Sequence, residues 1–318
     1  MSSGGGRWLS LSRHVGYLAV VVGLTAAQLG SAATQASAVA PAKYLLALGD
    51  SLASGYQPIF GSSPPPLDAT TGFRDLGYPS SYPTDLAHSR GLTLMDLACP
   101  GETTATMLGT PAVVTCGALY NAEFSDRSQI TAAETFLARH PGRVALVTLD
   151  IGANDVDTCI SATKVNATCL EANDVAAIKN LGTILGALTR AVHRYDPTAR
   201  VAGMNYLDSF LGLAFSPGGT SGTEAATASV AATNAFNVEL STIFHKFGAK
   251  VADVASAFHI DDVLPLSKYD GKTLPADVVM TCQLTWMCPV VAGKAQDIHP
   301  NAAGYRTIAA AFTKVLGG

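Results

Sequence analysis

The amino-acid sequence predicts an α/β domain built on a mainly parallel sheet. Two apolar runs, Tyr44–Leu48 and Val144–Leu149, show no alternation of polar and apolar residues, which is typical of strands covered on both faces. Segments with apolar residues at three- and four-residue spacing lie between the apolar runs. Because strands and helices alternate along the chain, a parallel sheet with helical crossovers is favoured.

The elements follow one another in a regular order. The predicted strands are Tyr44–Leu48, Leu92–Leu97, Val144–Leu149, Val201–Tyr206 and Val251–Val254. The predicted helices are Pro83–His88, Ile130–His140, Val175–Tyr195, Ala225–Phe247 and Ala302–Leu316, the last with Asn301 as its N-cap. The Pro-rich loop Gln57–Gly77 and the Gly-rich loop Ser216–Gly222 are too short to act as linkers between domains.

The N-terminus has the pattern of a secretory signal. Arg7 and Arg13 precede the apolar stretch Val15–Ala27, and small residues follow it. We expect residues 1–38 to be removed, leaving residues 39–318 as a single secreted domain, although cleavage after Ala40 also fits the pattern. The alternative, an uncleaved membrane anchor, is less favoured because the apolar stretch is short. No later apolar run is long enough to span a bilayer.

Composition excludes several classes of protein. Of 318 residues, 48% are hydrophobic and 14% are charged, which argues against a disordered chain and against a coiled coil. The formal net charge is −4 and no block of five or more basic residues occurs, so we expect no nucleic-acid partner. We expect the mature domain to be a monomer.

Six cysteines all lie in the predicted mature part of the chain. An even number of cysteines in a secreted protein favours disulfides, and sequence alone leaves fifteen pairings open for six cysteines. Neighbours along the chain give the simplest pairing, Cys99–Cys116, Cys159–Cys169 and Cys282–Cys288. A zinc site is the alternative, but there is no C-x-x-C motif and no histidine at ligand spacing, so we expect no metal.

Polar residues follow the predicted strands, at the edge where open parallel sheets bind ligands. Ser51 follows the first strand, Gly101 the second and Asn154 the third, whereas His299 lies just before the last helix. Each has an ordinary structural alternative: a helix cap for Ser51, turn formation for Gly101 and Asn154, and a surface position for His299. A second histidine, His259, is a rival general base because Asp261 and Asp262 follow it.

Taken together and in this order, these residues resemble the GDSL family, also called the SGNH hydrolases. The four family blocks correspond to Gly49–Leu52, Gly101, Gly152–Asp155 and the segment Asp297–Asn301. The resemblance extends from Tyr44 to about Leu316 and is strongest to secreted bacterial members with three disulfides. It implies a flavodoxin-like three-layer α/β/α fold with a five-stranded parallel sheet.

The resemblance also implies roles for individual residues. Ser51 would be the nucleophile and His299 the base that accepts its proton, since serine is a weak nucleophile without a base. The backbone N–H groups of Ser51 and Gly101 and the side chain of Asn154 would form the oxyanion hole. Asp50 and Asp155 are interpreted as hydrogen-bonding supports for their turns.

The sequence departs from the family at the third catalytic position. Many members have an aspartate three residues before the histidine, but here that residue is Gln296, and Asp297 lies only two residues before His299. In an extended segment a shift of one residue turns a side chain to the opposite face. Asp297 is predicted to be the third member of a triad, and a Ser–His dyad oriented by a backbone carbonyl near Gln296 is the alternative.

The function predicted from these observations is a secreted esterase or lipase that needs no cofactor and acts on a small-molecule or lipid carboxylic ester. A carbohydrate deacetylase or a phospholipase on the same scaffold is the alternative, followed by a non-catalytic extracellular binding protein. A flavodoxin-like nucleotide binder is less favoured because no phosphate-binding glycine motif occurs. The apolar loop residues either line an acyl-chain pocket or form local core; they are Ile59, Phe60, Phe73, Phe210, Leu211, Phe215, Trp286 and Met287.

Overall fold

The computed structural model describes residues 43–58, 81–109, 128–161, 164–215, 220–288 and 296–317. All of them belong to one compact unit that runs from Pro41 to Gly318. The predicted signal segment, residues 1–38, lies outside the described residues, so its removal stays a prediction.

A five-stranded sheet forms the centre of this unit. Its strands are β1 (Tyr44–Gly49), β2 (Thr93–Asp96), β3 (Val144–Asp150), β6 (Arg200–Met204) and β7 (Lys250–Ala252). They lie in the order β2-β1-β3-β6-β7, and every neighbouring pair is parallel. The prediction of a flavodoxin-like parallel sheet is therefore confirmed. The strand order reverses between β1 and β3, so the ligand-binding crevice of such a sheet lies outside the carboxyl ends of these two strands.

Helices occupy the connections between the strands. They are α1 (Ser51–Ser54), α2 (Tyr82–Ser89), α3 (Thr104–Met107), α4 (Gln129–Arg139), α5 (Ala153–Val156), α6 (Ala167–Tyr195), α7 (Thr220–Lys246), α8 (Val254–Ala257), α9 (Ala276–Leu284) and α10 (Ala302–Leu316). The sixth helix begins eight residues earlier than predicted, since Asn166 caps it by accepting a hydrogen bond from the Cys169 backbone N–H. The ninth helix was not predicted, because its apolar residues surround it and show no period.

Two short antiparallel pairs lie outside the main sheet. Strand β4 (Ile160–Ser161) pairs with β5 (Lys164–Val165), and β8 (Ser267–Tyr269) pairs with β9 (Lys272–Leu274). The second pair is joined by Asp270 and Gly271, both with positive φ, and Asp-Gly is a sequence signal for this type of hairpin. The sequence therefore contained the information for the second pair, but its strands are too short to show a pattern.

The core lies on both faces of the sheet. Leu45, Leu46 and Leu48 of β1 are fully buried, as expected for a strand covered on both faces. On one side, α10 packs against α2, and the rings of Phe312 and Tyr82 stack with their centroids 4.7 Å apart. Burial of these apolar residues is the main source of stability for such a domain.

The long helix α6 has the length and apolar composition of a membrane span, with 39% of its most apolar window buried. In the fold its apolar side supplies Leu181, Ile184 and Leu185 to the core. A core helix of a globular domain meets the same length and composition criteria.

Two of the three predicted disulfides are present, Cys159–Cys169 and Cys282–Cys288. Cys99 is also disulfide-bonded, but its predicted partner Cys116 lies outside the described residues.

Candidate active site

Ser51 lies where β1 turns into the short helix α1. Asp50 is the N-cap of this helix and accepts a hydrogen bond from the Leu52 backbone N–H at 2.9 Å. Gly49 has a φ of 151°, and a Cβ atom there would lie 2.4 Å from Oδ1 of Asp150. Only glycine fits this position, because both the backbone conformation and the neighbouring carboxyl group exclude a side chain. The turn therefore places Ser51 at the carboxyl edge of the sheet.

His299 lies directly against Ser51. Its Nε2 atom is 2.8 Å from Oγ of Ser51, and its Nδ1 atom is 2.6 Å from Oδ1 of Asp297. The ring of Tyr56 packs against the imidazole with the ring centroids 4.4 Å apart. The structure thus brings the three side chains predicted from sequence into one hydrogen-bonded chain, although 248 residues separate Ser51 from His299.

Asp297 makes two hydrogen bonds with His299. Besides Nδ1, its Oδ1 atom accepts the backbone N–H of His299 at 2.9 Å. Burial opposes the ionisation of Asp297, but the hydrogen bonds and the charge of His299 outweigh it, so the pKa of Asp297 lies below its usual value. Of the two orienting groups considered from sequence, the carboxylate is the one at hydrogen-bonding distance from Nδ1, because the side chain and the histidine lie on the same side of the turn.

The segment that carries His299 is anchored to the loop after α9. The backbone N–H of Trp286 donates to the carbonyl of His299 at 2.9 Å, and the N–H of Asp297 donates to the carbonyl of Trp286 at 3.1 Å. On the other side, the Ser209 hydroxyl donates to the carbonyl of Ile298. The disulfide Cys282–Cys288 encloses Trp286. The backbone that carries the imidazole is therefore held by hydrogen bonds on two sides.

The predicted oxyanion donors are the backbone N–H groups of Ser51 and Gly101 and the side chain of Asn154, and Asn154 lines the same pocket as Ser51. In the described part of the chain, no hydrogen bond uses the backbone N–H of Ser51 or of Gly101. The Nδ2 atom of Asn154 donates one hydrogen to the carbonyl of Glu102 at 2.9 Å, and an amide nitrogen carries a second hydrogen. Gly152, just before Asn154, has a φ of 122°, and a Cβ atom there would lie 2.8 Å from the ring of Phe236. A glycine is again required for the turn that aims the amide.

A buried glutamine connects the two turns, and sequence reasoning missed it. Gln129, the first residue of α4, accepts from the backbone N–H of Gly49 at 2.8 Å and donates to the carbonyl of Gly49 at 2.9 Å. The same amide nitrogen donates to Oε2 of Glu102 at 3.1 Å. Glu102 is buried, which raises its pKa. No sequence signal distinguishes this glutamine from an ordinary polar residue at a helix start.

A pair of buried carboxyl groups lies beneath the Ser51 turn. Asp150 accepts from the Tyr82 hydroxyl at 2.5 Å and from the Ala53 backbone N–H at 3.2 Å, whereas Asp50 accepts from the Tyr206 hydroxyl at 3.1 Å. Burial, and next the negative charge of Asp50, raises the pKa of Asp150 well above its usual value. The predicted supporting role of Asp50 matches this geometry.

Asp155 supports a different turn from the one predicted. Its carboxylate accepts from the backbone N–H of Thr104 at 2.8 Å and from the hydroxyl of Thr104 at 2.7 Å. Since Thr104 begins α3, the carboxylate fixes the loop that follows Gly101 rather than the turn of Asp155 itself.

A pocket of about 180 Å³ opens beside Ser51 and His299. Its walls are mostly apolar or aromatic; they include Val156, Ile160, Leu170, Tyr206, Leu207, Phe210, Phe236 and Ile298. Four carboxyl groups, of Asp50, Asp157, Asp174 and Asp208, also line it. Of the apolar loop residues considered from sequence, Phe210 lines the pocket, whereas Leu211 and Met287 are buried as core. Ile59, Phe60 and Phe73 lie outside the described residues.

The rival histidine lies in an exposed loop. Nδ1 of His259 is 2.5 Å from Oδ2 of Asp262, and both side chains are about half exposed. Among the described residues, no serine hydroxyl forms a hydrogen bond with its ring. In the same part of the chain, no group of three or more His, Cys, Asp or Glu side chains is arranged to hold a metal ion.

The fold and the site together define the class. A five-stranded parallel sheet with Ser51, Gly101, Asn154 and His299 at its carboxyl edge is the arrangement of an SGNH hydrolase. The family model described as the GDSL-like lipase/acylhydrolase family matches residues 47–307, and the chain belongs to this family.

Solved structures with the same fold include an extracellular lipase from Streptomyces rimosus, which is 21% identical with a TM-score of 0.52; the match covers 86% of this chain and 100% of that one. A phospholipase A1 from Streptomyces albidoflavus is also 21% identical, with a TM-score of 0.49 and coverage of 86% and 100%. An acetylxylan esterase from Geobacillus stearothermophilus is 16% identical, with a TM-score of 0.42 and coverage of 87% and 94%. No curated protein matches the chain at a significant level. At 21% identity, the similarity to the Streptomyces rimosus lipase supports the fold alone.

Proposed function

We propose that the protein is a secreted hydrolase of carboxylic esters that works through an acyl-enzyme on Ser51. The observation that carries this proposal is the 2.8 Å contact between Oγ of Ser51 and Nε2 of His299, with Asp297 on the opposite ring nitrogen. The predicted signal segment supports secretion, and so do the disulfides, since they persist in oxidising compartments.

In the first half of the reaction, Nε2 of His299 accepts the hydroxyl proton of Ser51 while Oγ attacks the ester carbonyl carbon. The carbonyl oxygen becomes negative and is held by the backbone N–H groups of Ser51 and Gly101 and by the second amide hydrogen of Asn154. The imidazolium then gives its proton to the leaving alcohol as the bond between carbonyl carbon and alkoxy oxygen breaks.

In the second half, a water molecule loses a proton to His299 and attacks the acyl carbon. The proton returns to Oγ of Ser51 as the carboxylic acid leaves, which restores the free enzyme. Asp297 keeps the imidazole in the tautomer that carries hydrogen on Nδ1, and its charge stabilises the imidazolium in both halves.

The direct test is the hydrolysis of p-nitrophenyl esters, with acyl chains from acetyl to palmitoyl, by the purified mature protein. We expect Ser51→Ala to abolish hydrolysis while circular dichroism and melting temperature stay unchanged. Ser89→Ala is the matched control, because this serine is on α2 and its hydroxyl only donates to the Leu86 carbonyl. Undiminished hydrolysis by Ser51→Ala would refute the mechanism. Failure to cleave any of these esters would shift the proposal to a specialised deacetylase or a binding protein.

A further inference from the structure

Two carboxyl groups without hydrogen-bond partners face the pocket beside Ser51. Asp157 follows the helix α5, and Asp174 lies on α6. The Oδ1 atom of Asp174 is buried and has no hydrogen-bond partner. In the described part of the chain, the side chain of Asp157 makes no hydrogen bond either. A buried polar group without a partner costs free energy, so a fold retains it more easily where a ligand completes it.

The other two carboxyl groups of the pocket, of Asp50 and Asp208, have hydrogen-bond partners. Asp208 accepts from the Ser229 hydroxyl at 2.7 Å and from the Phe210 backbone N–H at 2.9 Å. Its hydrogen bonds fix the start of the segment Ser209–Phe215, which also holds the carbonyl of Ile298. Asp208 is therefore a structural residue whose charge adds to the field in the pocket.

The acidic groups of the pocket oppose one another's ionisation. Burial, followed by the charges of Asp50 and Asp208, raises the pKa of Asp157 to about 8. Burial, followed by the charge of Glu239, raises the pKa of Asp174 to about 6. No Lys or Arg is among the described residues that line the pocket, and the basic side chain that does line it, His299, is paired with Asp297. A bound cation would compensate them directly.

The remaining walls determine what kind of cation fits. Tyr206, Phe210 and Phe236 contribute aromatic rings, and Val156, Ile160 and Leu170 contribute aliphatic surface. Such walls do not replace the water of a small, strongly hydrated ion, but they suit a methylated ammonium group, which is weakly hydrated and interacts with ring faces. A carboxylate beside aromatic rings is thus the chemistry of an ammonium site.

We propose that this pocket binds the quaternary ammonium group of a cationic ester, with Asp157 and Asp174 as its counter-charges and the aromatic rings as its walls. The proposal rests on the proposed ester hydrolysis, since the pocket adjoins Ser51 and His299. It makes the two aspartates specificity-determining residues, which recognise a part of the substrate away from the carbonyl carbon.

The test compares two ligands of the same shape. Choline carries the charge, and 3,3-dimethylbutan-1-ol is its neutral isostere. Calorimetric titration of the mature protein above pH 8, where both carboxyl groups are ionised, should show choline binding at least about tenfold more tightly. Asp174→Asn should reduce this preference, and Asp157→Asn combined with Asp174→Asn should remove it.

Glu171→Gln is the matched control, because this residue lies one turn away from Asp174 on α6 but is exposed and does not line the pocket. We expect it to leave the preference unchanged, which separates a local contact from the general charge of the protein. Equal affinity of the wild-type protein for the two ligands would overturn the proposal, and so would a preference that survives in the double variant. Binding of a neutral polyol in place of choline would also overturn it.

A parallel assay keeps this proposal apart from the proposed function. If p-nitrophenyl butyrate is hydrolysed, choline should inhibit competitively, and the neutral isostere should inhibit at least about tenfold more weakly. Hydrolysis without inhibition by choline would refute the proposed ammonium site but not the proposed esterase activity. Binding of choline without hydrolysis of any ester would refute the proposed esterase activity but not the proposed ammonium site.

Discussion

The replacement Asp297→Asn tests whether the carboxylate contributes to catalysis through His299. Oδ1 of Asp297 accepts two hydrogens of the same residue, from Nδ1 at 2.6 Å and from the backbone N–H at 2.9 Å. An asparagine would direct its carbonyl oxygen at these two donors, because its NH₂ group would oppose the backbone N–H. The variant should therefore keep the correct imidazole tautomer and lose only the negative charge.

The size of the effect follows from that geometry. With Oδ1 and Nδ1 2.6 Å apart, the centres of the two charged groups lie roughly 4 Å apart, which corresponds to about 4 kcal/mol at an effective dielectric constant of about 20. Both side chains are mostly shielded from solvent, so screening is limited. Since about 1.4 kcal/mol is tenfold in rate, we expect kcat for p-nitrophenyl butyrate to fall by about 1000-fold, with a small change in KM. An asparagine in the opposite orientation would impose the wrong tautomer and cost about 10⁴-fold, as in the worked serine-protease case.

The control for this experiment is Asp262→Asn in the exposed His259–Asp262 pair, which has the same chemistry and a 2.5 Å contact. It should leave kcat within about twofold, as is usual for a surface substitution. A loss of less than about tenfold in Asp297→Asn would refute the reasoning, because it would show that His299 is oriented and stabilised by something other than this carboxylate. Equal losses in both variants would point to a general effect of net charge.

Three further predictions concern the surroundings of the triad. Asn154→Ala should lower kcat by about 100- to 1000-fold with little change in KM, measured by steady-state kinetics, and a change in KM alone would argue against an oxyanion donor. Gln129→Leu leaves the buried backbone N–H of Gly49 without a partner, whereas the Gly49 carbonyl keeps the hydrogen bond from the Cys99 backbone N–H. The free energy of unfolding should therefore fall by about 1–3 kcal/mol in urea titrations; an unchanged midpoint would contradict this. The pKa of Asp157 is raised to about 8 in the folded state, so the folded protein holds a proton there that the unfolded chain releases near pH 4. This group therefore reduces stability as pH rises from about 4 to 8, and Asp157→Asn should raise the melting temperature at pH 8 by at least about 2 °C but have little effect at pH 4. A constant difference across this pH range would exclude Asp157 as the cause.

The fold was predictable because the informative signals are local. A continuous apolar run such as Leu45–Leu48 identifies a buried strand from a few residues, and the polar groups after such runs must meet at one edge of a parallel sheet. That rule places Ser51 and Asn154 at the same edge of the sheet. The short strand pairs and α9 carried weaker signals, because they have too few residues or too uniform an apolar surface to show a period.

The supporting residues were not predictable, because their contacts join distant positions that have no common pattern. Gln129 forms hydrogen bonds with Gly49, 80 residues away, and with Glu102, 27 residues away. None of these three residues belongs to a sequence pattern that would connect it to the other two. Asp150 directly follows the predicted strand Val144–Leu149, yet it accepts the Tyr82 hydroxyl 68 residues away. Such contacts depend on the final packing of the helices against the sheet, which local propensity does not encode.

The spacing of Asp297 and His299 shows how a local rule can mislead at a site. The alternative of a Ser–His dyad assumes an extended segment, in which a shift of one residue turns the side chain to the opposite face. The segment instead forms an Asx turn, since the carboxylate of Asp297 accepts the backbone N–H two residues later. In such a turn the side chains of residues i and i+2 lie on the same side, so Oδ1 meets both the N–H and the ring of His299. The Asx turn therefore lets a carboxylate two residues before the histidine reach Nδ1 of the imidazole ring. The hydrogen bond that forms this turn also fixes the position of the carboxylate relative to His299.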